Sequence, residues 1–184
     1  MIISFSGAQS TGKTTLLNYL LTRNTDYVFV PEVTRLVRRN YNLPINEAGS
    51  DLTQLMIINS HLHNMLLKRE SNVILDRCIY DGLIYTKWLY SKGKVSQSVY
   101  DYTKHIFDIL KDRYAVIFYT SPTDVLIEDD GERSIDVEFR NDIIKLFEES
   151  LEGASNVVVL RGSVKERLET IKSTLTKLNL EIVI

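Results

Sequence analysis

The run Gly7-Ala8-Gln9-Ser10-Thr11-Gly12-Lys13-Thr14 fits the pattern G-x-x-x-x-G-K-[ST]. Each residue type in it has a chemical use. Glycines let backbone N–H groups curl around a phosphate, Lys13 can reach the β- and γ-phosphates, and the Thr14 hydroxyl suits Mg²⁺. The run leaves an apolar stretch, Ile2-Ile3-Ser4-Phe5, and enters Thr14-Thr15-Leu16-Leu17-Asn18-Tyr19-Leu20, which reads as a helix. A phosphate held there gains the favourable dipole of a helix N-terminus. Residues Gly7, Ala8, Gln9, Ser10, Thr11, Gly12, Lys13, Thr14 and Thr15 are therefore expected to bind a nucleoside triphosphate, with ATP and Mg²⁺ as the cofactors.

A second element bears on the γ-phosphate. Val73-Ile74-Leu75-Asp76 is an apolar strand ending in an acid, the placement of a carboxylate that supports the Mg²⁺ shell. Thr14 and Asp76 are thus the expected metal residues. Arg77 follows, where hydrolytic motors keep a second carboxylate to orient water. The D-x-x-G and N-K-x-D strings of GTPase switches do not occur, and Thr120-Ser121-Pro122-Thr123-Asp124 lacks the asparagine and lysine. Transfer of the phosphoryl group to an acceptor is favoured over hydrolysis.

These residues need a frame that brings them together. Short, wholly apolar runs recur at Ile2–Phe5, Tyr27–Val30, Asn72–Leu75, Ala115–Tyr119 and Val157–Leu160. Runs without alternation indicate strands buried on both faces of a parallel sheet. Helical patterns separate them at Thr14–Leu21, Asp51–Arg69, Ile79–Tyr90, Ser98–Leu110, Val137–Leu151 and Val164–Leu178. Strand and helix in alternation predict a three-layer α/β fold with a five-stranded parallel sheet flanked by helices, and the G-x-x-x-x-G-K-[ST] loop makes the expected version a P-loop NTPase fold. Leu180–Ile184 reads as a further edge strand. No repeat, low-complexity tract or linker divides residues 1–184, so the chain is read as one domain.

Composition narrows the class. The 184 residues are 44% hydrophobic and carry 22 Lys+Arg against 24 Asp+Glu, proportions that support a packed core and give no general basic footprint for nucleic acid. No apolar run approaches the roughly 18–20 residues of a membrane span, and no signal peptide is visible, so a cytoplasmic location without membrane partners is expected. A lone cysteine, Cys78, excludes a disulfide framework and a cysteine zinc site.

Three segments complete a recognisable order: Pro31-Glu32-Val33-Thr34-Arg35, Asp76-Arg77-Cys78-Ile79-Tyr80-Asp81, and Asp129-Asp130-Gly131-Glu132-Arg133 with Arg140 beyond it. Together with the phosphate loop, they make residues 1–170 resemble the P-loop nucleoside and nucleotide kinases, in particular deoxynucleoside and thymidylate kinases and the nicotinamide-riboside kinase-like group. The resemblance implies ATP-dependent phosphoryl transfer to a nucleoside or nucleoside monophosphate. Glu32 would face the acceptor hydroxyl, and Arg77, Arg133 and Arg140 would clamp the moving phosphoryl group, the last two from a short lid at about 126–140 that the resemblance also implies. Gln54 would pair with a base, and a homodimer is implied in the same way. From the residues themselves, Arg35, three positions beyond Glu32, and the tyrosines Tyr80 and Tyr85 are candidate acceptor contacts.

Structural roles compete at several of these positions. Glu32 can charge or cap a helix over Val33–Arg39, Arg77 can form a strand-end ion pair, Arg133 and Arg140 can be solvated helix charges, and Gln54 can face water. Two functional alternatives are also kept: a kinase acting on a hydroxyl of nucleic acid, at a 5′ end or a modified base, and a non-catalytic ATP-binding regulator.

Overall fold

A computed structural model describes residues 1–67, 71–122 and 136–184. Its elements, in chain order, are β1 (Ile2–Ser6), α1 (Lys13–Leu21), β2 (Val28–Val30), α2 (Val33–Tyr41), α3 (Asp51–Leu66), β3 (Val73–Asp76), α4 (Ile79–Ser91), α5 (Gln97–Leu110), β4 (Val116–Thr120), α6 (Val137–Leu151), β5 (Val157–Leu160) and α7 (Val164–Lys177). The five strands form one sheet in the order β2-β3-β1-β4-β5, and every pairing is parallel. The expected α/β sandwich is the observed one.

Alternate residues of each strand feed opposite faces of the sheet. Ile3, Phe5, Ile74, Val116 and Phe118 pack with α1 and α7, while Val73, Leu75, Ile117 and Tyr119 pack with α3, α4, α5 and α6. Burial on both faces is why these strands read as continuous apolar runs. β1 lies in the middle, with β3 on one side and β4 on the other. The chain leaves β1 toward β2 and later returns to β4 on the opposite side, so a crevice opens at the carboxyl ends of β1, β3 and β4. That switch point is where open α/β sheets bind ligands.

The tail differs from its expectation. Leu180–Ile184 is not a strand. The Asn24 side chain takes both backbone groups of Val183, donating Nδ2–H to its carbonyl (3.0 Å) and accepting from its N–H at Oδ1 (2.6 Å). Leu180, Ile182 and Ile184 meanwhile pack on the α1/α7 layer. Apolar alternation here records burial under the helices, with a side chain in place of a neighbouring strand as the hydrogen-bond partner.

Candidate functional site

The phosphate loop joins β1 to α1 through backbone that only some residues tolerate. Gly7, Ser10 and Gly12 all have positive φ (136°, 55° and 86°). Gly7 is also fixed by space, since a Cβ there would lie 2.8 Å from the Thr120 hydroxyl and 3.0 Å from its carbonyl oxygen. β4 closes the loop from the other side, with Thr120 Oγ1 2.6 Å from Thr11 Oγ1 and donating to Ser6 O at 3.1 Å. From α7, Arg167 donates Nη1–H to Thr11 O (2.7 Å), Nη2–H to Ser121 O (3.2 Å) and Nε–H to Gly162 O (2.9 Å). Lys13 Nζ donates to Gly7 O (2.8 Å) and Ala8 O (2.7 Å). Burial and the nearby Arg77 charge lower its pKa to about 7. Thr14 and Thr15 lie exposed in the first turn of α1.

Beside the loop stands a charge cluster drawn from four elements. Arg77 follows β3 in the left-handed region at φ 72°, a backbone state that costs a side-chain-bearing residue of order 1–2 kcal/mol. Its N–H donates to Phe5 O at 2.8 Å, which holds it against the end of β1. The guanidinium donates to Glu32 Oε1 through Nε (2.6 Å), and through Nη1 to Asp81 Oδ1 (2.8 Å) and Gly7 O (3.3 Å). Gly7 O therefore receives both Lys13 and Arg77, which couples the phosphate loop to the acidic cluster. Asp81 Oδ2 accepts from Ser6 Oγ (2.7 Å) and from Cys78 N (3.0 Å), where it caps α4.

Glu32 precedes α2 and makes no cap to the helix. Its carboxylate is held instead by Arg77 and by Arg35 Nε at 3.2 Å. Burial pushes its pKa up, but Arg77, Lys13 and Arg35 outweigh burial and leave it below the ordinary value. Asp76 has the reverse balance. Burial and Glu32 push it up to about 6, against Arg77 and Lys13, and its buried Oδ1 has no hydrogen-bond partner. A carboxylate oxygen buried next to Lys13 without a donor fits a cation. Among the described residues no cluster of three or more His, Cys, Asp or Glu could cage an ion alone. Mg²⁺ fits that set, because it is usually held by one or two protein oxygens together with phosphates and water.

Next to Glu32 and Arg77 is a small cavity of about 20 Å³, lined also by Gln54, His61, Gly82 and Tyr85. Gln54 is buried and its Oε1 accepts from the Thr86 hydroxyl at 2.9 Å, so it does not face water. His61 is buried with Nε2 unpartnered, and burial lowers its pKa to about 4, which keeps the ring neutral. Gly82 makes room: a Cβ there would lie 2.7 Å from Ile58 Cδ1 and 3.4 Å from the His61 ring.

The structure thus gathers Lys13, Glu32, Arg35, Gln54, Asp76 and Arg77 around one crevice. Arg140 reaches it from α6, with Nε donating to Gln9 O at 3.3 Å. Tyr80 stands apart. Its ring is buried edge-on against Phe107 of α5 (4.7 Å, 88°), because residue 80 falls on the core side of α4. Arg133, residues 129–132 and the first part of the expected lid lie outside the described residues. Asp81, His61, Gly82 and Arg167 escaped the sequence reading. Asp81 had a signal, four residues after Arg77 and in the first turn of α4. His61 had one too, seven residues beyond Gln54 on a single helix face. Arg167 had none, since it meets the loop across 156 residues of sequence.

Fold and crevice define a P-loop protein with the nucleoside/nucleotide kinase-like architecture. The chain belongs to the AAA domain family, whose model matches residues 2–167. Solved structures agree on the fold. NadR in complex with NR superposes with a TM-score of 0.76 at 19% identity, over all of this chain and 53% of that one. This chain therefore spans about half the length of NadR. Deoxyadenosine kinase from M. mycoides gives a TM-score of 0.68 at 16% identity, over 97% of this chain and 100% of its own. Thymidylate kinase from Candida albicans gives 0.67 at 16% identity, over 100% of this chain and 94% of its own. No curated protein matches the sequence. Among the described residues no helix is long and apolar enough to cross a membrane.

Proposed function

We propose that this protein transfers the γ-phosphoryl group of ATP to a nucleoside or nucleoside monophosphate. The observation that carries the reading is the shared carbonyl of Gly7, which takes hydrogen bonds from both Lys13 and the Glu32-bound Arg77. It sets a proton-accepting carboxylate beside the phosphate loop. An attacking hydroxyl needs such a group, because its proton must leave as the new O–P bond forms. The lowered pKa of Glu32 keeps it ionised at neutral pH, ready to accept a hydrogen bond from the hydroxyl and orient the oxygen for in-line attack.

In this reading the loop amides and Lys13 hold the β- and γ-phosphates, while Arg77 and Arg140 balance charge on the phosphoryl group in flight. Thr14 and Asp76 would hold Mg²⁺, which when bound neutralises phosphate charge. Gln54 lines the far wall and suits the edge of a base, since an amide both donates and accepts. Arg35 steadies Glu32 from the second side. The same fold in deoxyadenosine kinase and thymidylate kinase supports the substrate class.

The test is an acceptor screen with γ-labelled ATP over nucleosides, their monophosphates and DNA, run with and without Mg²⁺. Label is expected on a small nucleoside or nucleotide. Label on DNA alone, weakening steeply with salt, would move the acceptor to nucleic acid. Tight ATP binding with no labelled product would leave a nucleotide-binding regulator.

A further inference from the structure

Gln9 sits inside the phosphate loop, yet its side chain does not serve the loop. The backbone carbonyl of Gln9 accepts from Arg140 on α6, at 3.3 Å. Its side chain turns toward α4, where the Tyr85 hydroxyl donates to Oε1 at 3.2 Å. Tyr85 is also a wall of the Glu32–Arg77 cavity. The amide of Gln9 therefore stands at the boundary between the phosphate loop and that cavity.

The Arg77 guanidinium lies over the Tyr85 ring, with Cζ 5.3 Å from its centre, and the Tyr85 hydroxyl gives its proton to Gln9 Oε1. The amide thus has Oε1 toward Tyr85, which leaves Nε2 to find an acceptor of its own. Nε2 is buried and has no hydrogen-bond partner, in a side chain only 5% exposed. A buried amide N–H pair without an acceptor is unfavourable, and native proteins leave few of them. An anionic oxygen arriving at the boundary would satisfy it.

We infer that Gln9 is a catalytic residue whose Nε2–H donates to an equatorial oxygen of the phosphoryl group in flight, with Tyr85 as the positioning residue that aims it. The assignment rests on the phosphoryl-transfer reading given above. Gln9 undergoes no covalent change. The acceptor oxygen forms its bond to Pγ as the Pγ–O bond to ADP breaks, with the electron pair leaving on ADP and the hydroxyl proton passing to Glu32. Negative charge spreads over the equatorial oxygens during the crossing, and a neutral donor fixed beforehand stabilises it without the reorganisation that water would need.

Three variants test this: Gln9→Met, which keeps length without donors; Gln9→Glu, which keeps the acceptor for Tyr85 but loses the N–H pair; and Tyr85→Phe. Transfer is measured on the best nucleoside of the acceptor screen. Separately, calorimetry compares MgADP alone with MgADP plus aluminium fluoride, a mimic of the phosphoryl group in flight, and thermal unfolding checks that each variant is folded. Gln9→Met is expected to lower kcat roughly 10- to 100-fold, with MgADP affinity within about threefold and the gain from aluminium fluoride largely lost. Gln9→Glu should be at least as impaired. Tyr85→Phe should lower kcat by less, and should have no further effect on Gln9→Met. Folded Gln9 variants with unchanged kcat and fluoroaluminate affinity would overturn the assignment while the kinase reading stands. So would a loss confined to MgADP affinity, which would make Gln9 a loop-packing residue. If the unsubstituted protein neither transfers phosphate nor gains affinity from aluminium fluoride, the kinase reading itself falls and Gln9 with it.

Discussion

The two halves of the crevice are built in opposite ways. The side proposed to hold the phosphoryl donor is one contiguous stretch, Gly7 to Thr15, shaped by backbone and braced from outside by Thr120 and Arg167. The side proposed for the acceptor has no contiguous segment. Glu32 comes from the turn after β2, Gln54 and His61 from α3, Arg77 and Asp81 from the β3–α4 junction and Tyr85 from within α4. Arg77 holds this half together through two carboxylates and one carbonyl. A phosphate site can be written into local sequence because backbone amides do the binding. A site for a specific acceptor needs side chains converging from several directions, so the fold must assemble it.

Substitutions on each side sharpen the contrast. Lys13→Ala should have the largest effect, abolishing transfer by at least about 10³-fold while far-ultraviolet circular dichroism stays unchanged. A retained rate would remove the donor role of the loop. Glu32→Gln should lower kcat by roughly 10²–10⁴-fold with ATP affinity nearly unchanged, as measured by steady-state kinetics and calorimetry. If ATP affinity fell with it, the two halves would not be separable.

Arg77→Met strikes the acceptor side through stability. It leaves Glu32 and Asp81 without their shared cation, and urea unfolding should register a loss of about 3–5 kcal/mol. Arg140→Ala, at a partly exposed position, should cost under about 1 kcal/mol in the same assay.

His61 provides a pH signature. Its folded pKa is about 4 against an ordinary 6.5, so between those values the unfolded chain binds more protons and stability rises with pH. The protein should lose stability relative to His61→Gln as pH falls from 6.5 toward 4, by up to about 3 kcal/mol. A flat difference between the two proteins across that window would mean that His61 is charged or solvated. Gly82→Ala should cost about 1–3 kcal/mol by thermal unfolding, from the clash with Ile58.

Much of the fold was legible because burial on both faces leaves an unmistakable mark. The strand runs at residues 2, 73, 116 and 157 were located to within a residue or two, and the helix over Val137–Leu151 has the bounds that its pattern predicts. The Leu180–Ile184 tail misled for the same reason, since its alternation came from packing on helices and the Asn24 side chain, which the pattern does not distinguish from a strand. On the site, Glu32 carried two readings in sequence, cap or acceptor carboxylate; the structure shows no cap, and its carboxylate meets Arg77 from 45 residues away. Tyr80 and Tyr85 looked equivalent; helix phase sends the first into the core against Phe107 and brings the second to Gln9.

By itself, the sequence determined the phosphate loop, the strand that precedes it, the helix that follows it and the acid at the end of β3. Each depends on neighbours a few residues apart, where backbone geometry and periodicity act. The tertiary structure alone decided which arginine meets which carboxylate, that His61 and Gln9 each keep a buried nitrogen without a partner, and that Arg167 clamps a loop from the far end of the chain. Those outcomes follow from desolvation and from contacts across the sheet's switch point. Such quantities exist only once distant segments are packed together.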